Sequence, residues 1–257
     1  MRKLSWLILG LGVLLLAGCS VKNNQTEQQA QKLQQTIRKN QKVWQKQKSA
    51  AVNVNQKDLA PFVATIPTGY HDEDMSLSRF KNGSQLVVQA QVVNLQAEKP
   101  TLVTETKTTL YIKKVLAGNK DYQGKTIKTE LSGGLTTAKF KYTSLEGEYI
   151  GKQYGVKNPQ TEVYNDNPNS PLPKIGQTII VGLNPFRPEN EHDLKQHQEN
   201  GLTTKNFYVI NNPDVTYWVK RDGKYQLNNP AFSKRDNVKK YPNLNGLSKY
   251  FNQHLNG

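Results

Sequence analysis

Cys19 is the only cysteine in the chain, and it follows Leu16-Ala17-Gly18 at the end of an uncharged apolar run. A thiol there lies at the end of a leader, with no core to join, and the small residues Ala17 and Gly18 leave the backbone open to a peptidase. A second set is Glu191, His192, Asp193 and His197, with His71 and its acidic neighbours elsewhere. Asp193 and His197 are four apart and share one face if the segment is helical, whereas His192 and His197 are five apart and do not. Closed zinc sites prefer Cys/His sets at tight spacing. His192, Asp193 and His197 are thus kept as metal candidates on what reads as a solvated polar loop, and no cofactor is expected.

Other motifs fail on spacing or context. Gly118 and Gly124, followed by Lys125-Thr126, enclose five residues where a phosphate loop needs four, and they lead into a strand rather than a helix. Ser78-Arg79-Phe80-Lys81 matches a Ser-x-x-Lys pattern but lacks the Ser-Asp-Asn and Lys-Thr-Gly partners. There is no Gly-x-Ser-x-Gly elbow and no His-Glu-x-x-His helix. The expectation is a protein that is not an enzyme.

Arg2 and Lys3 precede the apolar stretch from Trp6 to Ala17, which is shorter than the about 20 residues a membrane-spanning helix needs. A charged start, a short apolar core and small residues before Cys19 form a secretory leader. Leu16-Ala17-Gly18-Cys19 resembles the lipobox of bacterial lipoproteins. That resemblance implies a diacylglyceryl group on the Cys19 sulfur, cleavage between Gly18 and Cys19, and a mature chain held at the extracytoplasmic face of the cell membrane. Two acyl chains anchor stably where one is marginal. With one cysteine, no internal disulfide is available in that oxidising space.

The 35 basic and 20 acidic side chains give a net charge of +15, of which Arg2 and Lys3 account for two. Such a charge favours anionic surfaces. Outside the cytoplasm these are lipid headgroups and wall polymers. A nucleic-acid reading would want clustered arginines, a recognisable module and stacking aromatics, and no such module is seen, so no nucleic-acid partner is expected. Abundant Lys and Asn fit an AT-rich genome and a Gram-positive source.

The organisation expected is a signal peptide over 1–18, a lipidated tether over 19–60, and a β-rich globular domain over 61–257. The tether holds neither Gly nor Pro up to Lys57. Ala30, Leu33, Ile37, Asn40 and Trp44 repeat at three-four spacing, a stripe that suits a polar helix or disordered spacer, or a self-associating stalk in which Asn40 sets register.

From Ser84 the texture is β. Residues 84–93, 104–115 and 125–131 read as a meander broken at Ala117-Gly118-Asn119-Lys120 and ending at Gly133-Gly134. The run Thr178–Leu183 reads as a central strand, 206–210 as another, and 215–220 with 224–227 as a hairpin about Asp222-Gly223. Leu244, Leu247, Tyr250, Phe251 and Leu255 describe a C-terminal amphipathic helix. The fold class is mainly β, as a small curved sheet or a barrel of oligonucleotide/oligosaccharide-binding (OB) type, with the N-terminal tether and C-terminal helix appended. Val115-Leu116-Ala117-Gly118, Gly133-Gly134 and the run Ile175–Leu183 also resemble uncharacterised β-rich domains of Gram-positive secreted proteins, over about residues 84–228; that resemblance implies no activity.

Residues 135–175 and 184–204 read as long polar loops. Tyr142, Tyr149, Tyr154 and Tyr164 lie in the first and suit a contact surface. The function expected is a lipid-anchored surface protein presenting a β-rich binding or scaffold domain. Its partners are the membrane and an anionic lipid or wall polymer. The alternatives are a wall-directed hydrolase or metal-dependent enzyme, and a structural stalk.

Overall fold

The N-terminal helix α1 runs from Ser5 to Ala50, and its C-terminal half is built into the body of the protein. The computed structural model describes the backbone of residues 5–54, 63–100 and 103–255, with side chains from Glu27 onward. The stripe seen in the sequence is the face that packs. Ile37 and Trp44 are buried in the main core and Leu33 packs against it. Asn40 Nδ2 donates 3.0 Å to the Val93 carbonyl, and Gln41 Nε2 donates 2.7 Å to the Ile175 carbonyl. Residues 33–50 are therefore an ordered layer on the sheet rather than a disordered spacer. The stripe that a self-associating stalk needs is occupied within the same chain. The boundary expected at residue 60 lies outside the described residues.

The main sheet holds seven strands in the order β10-β9-β7-β2-β3-β4, with β8 beside β7. These are β2 (Leu86–Ala97), β3 (Glu105–Ala117), β4 (Thr126–Ser132), β7 (Thr178–Pro185), β8 (Tyr208–Ile210), β9 (Tyr217–Arg221) and β10 (Lys224–Leu227). β2, β3 and β4 form the expected antiparallel meander. β7 lies between β2 and β9 with Ile179, Ile180 and Val181 fully buried, as its unbroken apolar run requires. The β9–β10 hairpin turns at Asp222 (φ 48°) and Gly223 (φ 76°), both left-handed, the geometry that matches strand twist.

The sheet is curved but open, not the closed barrel entertained from the sequence. β8 has three residues and pairs with β7, and the chain just before it meets β4 only through one bridge, Lys128 with Phe207. So short a strand cannot extend a ladder around to β4.

A second sheet was not legible in advance. It has the order β1-β6-β5, with β1 (Val52–Asn53), β5 (Gly134–Thr137) and β6 (Glu162–Asn165). The chain crosses to it at Gly133 (φ 97°) and Gly134 (φ 121°). A Cβ on Gly134 would collide with Thr106 Oγ1, and Thr106 in turn donates 2.6 Å to the Gly133 carbonyl. Only glycine tolerates both the conformation and the approach.

On the opposite face of the main sheet, α7 (Pro242–His254) buries Leu244, Leu247 and Phe251 against Phe80 and Trp218. Asp72 caps it from far away in sequence: its carboxylate accepts from the backbone N–H groups of Asn243 (2.7 Å) and Leu244 (3.1 Å). These are orphan donors of a helix start. The short helices α2 (Leu77–Asn82), α3 (Ala138–Lys141), α5 (Pro213–Thr216) and α6 (Arg235–Lys240) fill the connections.

Candidate functional site

The loop expected to present four tyrosines buries two of them and half-buries the other two. Tyr142 and Tyr164 are 4% and 3% exposed. Tyr142 stacks on Tyr154 with ring centroids 4.8 Å apart, and Tyr149 donates its hydroxyl to the Val156 carbonyl at 2.7 Å. Lys48 of α1 sits 3.9 Å from the Tyr164 ring centroid. Tyr142, Tyr149 and Tyr154 pack with Ile150 and Val156 in a small core around Val54, Ala138 and Val163, whereas Tyr164 joins the main core. Tyr142 and Tyr164 are thus held in the interior, while Tyr149 and Tyr154 are half-buried.

The same stretch does carry a surface feature. A cleft of about 700 Å³ lies where the start of β3 and the end of β4 meet the second sheet. Thr104 and Ser132 line one side, and Thr137, Lys139, Phe140, Lys141, Thr143 and Asn165 the other. Thr137 starts α3 by accepting from the Phe140 N–H at 3.3 Å, and the single turn that follows buries Ala138 and turns its two lysines and Phe140 to the cleft. The volume falls in the range of small-ligand sites. Its described lining has two ammonium groups, several hydroxyls, an amide, the exposed Val103 side chain and a half-buried phenyl ring, and no carboxylate. That combination favours an anionic ligand rich in hydroxyl groups. No sequence signal marked it beyond the local Thr-Ala-Lys-Phe-Lys order.

The second site lies over the outer face of β3 and β4. Residues 184–204 are not an open loop: α4 (Glu191–Glu199) starts at Asn190, whose side chain accepts from the Asp193 N–H, while Asp193 Oδ2 accepts from the Glu189 N–H. This reciprocal cap was the legible signal for the helix. Its C-terminal end is held by two cations from the sheet. Lys107 Nζ donates 2.6 Å to the Asn200 carbonyl, and Lys128 Nζ donates 2.7 Å to the Gly201 carbonyl. Cations belong at that end of a helix dipole.

Under α4 the sheet gathers acids. The side chain of His197 is 19% exposed, with Nδ1 3.1 Å from Asp193 Oδ1 and Nε2 3.3 Å from Glu130 Oε2. Its ring packs against Phe186 and Phe207. Glu98, Glu105 and Glu130 lie close enough together to interact electrostatically. Burial, then the Glu130 charge and hydrogen bond, push the Glu98 carboxyl up to about 9. Burial, then Glu105, push Glu130 up to about 8, and burial raises Glu105. The helix thus brings Asp193 and His197 onto one face, as their spacing allows. His192 is exposed and takes no part. Among the described residues no group of three His, Cys, Asp or Glu side chains is arranged to hold a metal ion, so the metal candidates do not form a centre there. Glu98, Glu105 and Glu130 went unremarked in the sequence because they meet only through strand register.

Gly18 and Cys19 fall within α1, in a stretch whose side chains lie outside the described residues. Over the described residues, no helix is long and apolar enough to cross a membrane. Comparison with protein-family models, with curated proteins and with solved structures gave no match.

Proposed function

We propose that this chain is a lipoprotein anchored through Cys19 at the outer face of the cell membrane, and that its two-sheet body is a binding module for an anionic, hydroxyl-rich wall polymer. The observation that carries the binding half is the cleft, where Lys139 and Lys141 flank Phe140 among hydroxyl and amide groups. The net charge of +15 supports the same class of ligand by long-range attraction. The order of charged start, apolar run and Leu-Ala-Gly-Cys supports the anchor. The α1 backbone is helical from Ser5 to Ala50, so the rise between Cys19 and Leu33 would hold the body about 20 Å from its anchor.

The test is cosedimentation of the full chain, in nanodiscs of neutral lipid, with a polyol-phosphate polymer at increasing salt. Binding is expected to weaken with salt and to fall about tenfold in Lys139→Ser/Lys141→Ser, as loss of two charged contacts implies. Equal binding by the variant overturns the cleft as the site. Binding to anionic vesicles but not to the polymer assigns the charge to lipid instead.

A further inference from the structure

The packing of α1 fixes which way its charges point. Leu33, Ile37 and Trp44 face the main core, so the opposite face of the helix is turned to solvent. At about 3.6 residues per turn that face carries Lys32, Lys39, Lys42 and Lys46, all of them exposed. They form a ridge about 21 Å long, at about 1.5 Å of rise per residue. From Gln28 to Ala50 the helix holds no Asp or Glu. Among the described residues none of the four lysines pairs with a carboxylate. Arg38 and Lys42, and Lys42 and Lys46, are four apart, a spacing at which like charges destabilise a helix. The chain places no acid there to offset that repulsion.

The ridge does not stop at the helix. Arg38, Gln41 and Lys42 share one flank of α1, being three and four apart. Gln41 donates to the Ile175 carbonyl at 2.7 Å, and Ile175 lines a second cleft, of about 560 Å³. Lys174, Lys220 and Arg221 line that cleft too, and Asp222 is the one carboxylate of its described lining.

We propose that the outward lysine ridge of α1 and this adjoining cleft form a track for the backbone of a linear polyanion, a wall polymer that repeats phosphate groups along its length. The choice of polymer rests on the surface setting proposed above; the track does not use the cleft of Lys139 and Lys141. Charge complementarity selects a polyanion, since its phosphates relieve the repulsion along α1. Shape selects a flexible chain. A bilayer meets a convex ridge but cannot enter a cleft beside it, whereas a polymer follows both.

Fluorescence anisotropy of the full chain in non-ionic detergent, with an end-labelled polyol-phosphate polymer at increasing salt, tests it. A fragment of one or two repeats, too short to span the ridge, is expected to bind at least about tenfold more weakly per repeat than the polymer. Lys32→Gln/Lys39→Gln/Lys42→Gln/Lys46→Gln should keep its circular dichroism and lose at least about tenfold in affinity. Its slope of log affinity against log salt should shrink by about 2–3, as loss of four phosphate contacts implies. The same charge removed from exposed positions elsewhere, in Lys113→Gln/Lys234→Gln/Lys239→Gln/Lys249→Gln, should change that slope by less than about 1. Equal effects of the two sets, or an unchanged slope in the first, overturn the track and leave the cleft of Lys139 and Lys141 standing. Weakening by the first set but not by Lys139→Ser/Lys141→Ser overturns that cleft and keeps the track. Ridge-dependent binding to phosphatidylglycerol vesicles, with none to the polymer, overturns the polymer as its occupant.

Discussion

Asn40 Nδ2 donates to the Val93 carbonyl at 3.0 Å, and Val93 is the extra residue of a bulge in β2: Val92 pairs with Leu110 and Asn94 with Thr109, leaving Val93 outside the ladder with β3. A bulge leaves backbone groups without a strand partner, and α1 supplies one. This joins the N-terminal helix to the sheet by a polar contact that only an amide at this point of the stripe makes. It also reverses the meaning of Asn40. In a coiled coil a buried Asn lowers stability in exchange for register; here it satisfies a carbonyl.

The two readings predict opposite signs for Asn40→Leu. The variant is expected to lose about 1–3 kcal/mol, the cost of leaving the Val93 carbonyl unsatisfied. Urea denaturation of the full chain measures it. A gain in stability, with concentration dependence, would restore the stalk.

Ile37 and Trp44 give the helix its apolar hold on the sheet. Truncation of Trp44 to Ala should cost about 3–5 kcal/mol and of Ile37 about 2–5 kcal/mol, as for other core cavities. If residues 27–50 were a spacer, both midpoints in denaturant would stay where they are.

Asp72 should matter more than its position in an acidic surface run suggests. Asp72→Ala removes the acceptors for the Asn243 and Leu244 N–H groups and is expected to cost about 1–2 kcal/mol. Asp72→Asn keeps one oxygen and should cost less. Trp218, buried beside Phe251 and donating 2.9 Å to Ser248 Oγ, makes its fluorescence a local probe of α7.

Stability should decline with rising pH. Glu98, Glu105 and Glu130 are all raised by burial, to about 9 and about 8 for the first and last. Between the ordinary carboxylate range and these values, the folded chain holds protons that the unfolded chain has lost. The stabilisation is full below about pH 4.5 and is lost progressively up to about pH 8–9. Melting temperature followed by circular dichroism from pH 5 to 9 should fall. Glu98→Gln/Glu130→Gln should flatten the slope; a midpoint rising over the same interval would contradict the burial of protonated acids.

Much of the main sheet was legible because its signals are local. The meander β2–β4, the apolar β7, the Asp222-Gly223 hairpin and the stripe of α7 each announce themselves through periodicity or a turn pair. The second sheet gave no such signal: β1 has two residues and β5 and β6 four each, too few to show a period. α4 buries no residue completely, so it lacks an apolar face and betrays itself only by its cap. The stripe of α1 was visible, but its partner, a bulge carbonyl, was not. Of the tyrosines in 142–164, Tyr142 is buried in one core and Tyr164 in another, a division that their spacing does not record. Glu98, Glu130 and His197 are brought together by register and by a helix lying across two strands, neither of which a linear pattern records.

The proposed surface anchor is Cys19, and the intact mass of the membrane-extracted protein beside a Cys19→Ala variant tests it most directly. The predicted result is a chain beginning at Cys19 and carrying a diacylglyceryl group, with the variant neither cleaved there nor lipidated. A natural chain that retains residues 1–18 and bears no lipid would contradict the anchor, and with it the extracytoplasmic setting on which the choice of a wall polymer depends.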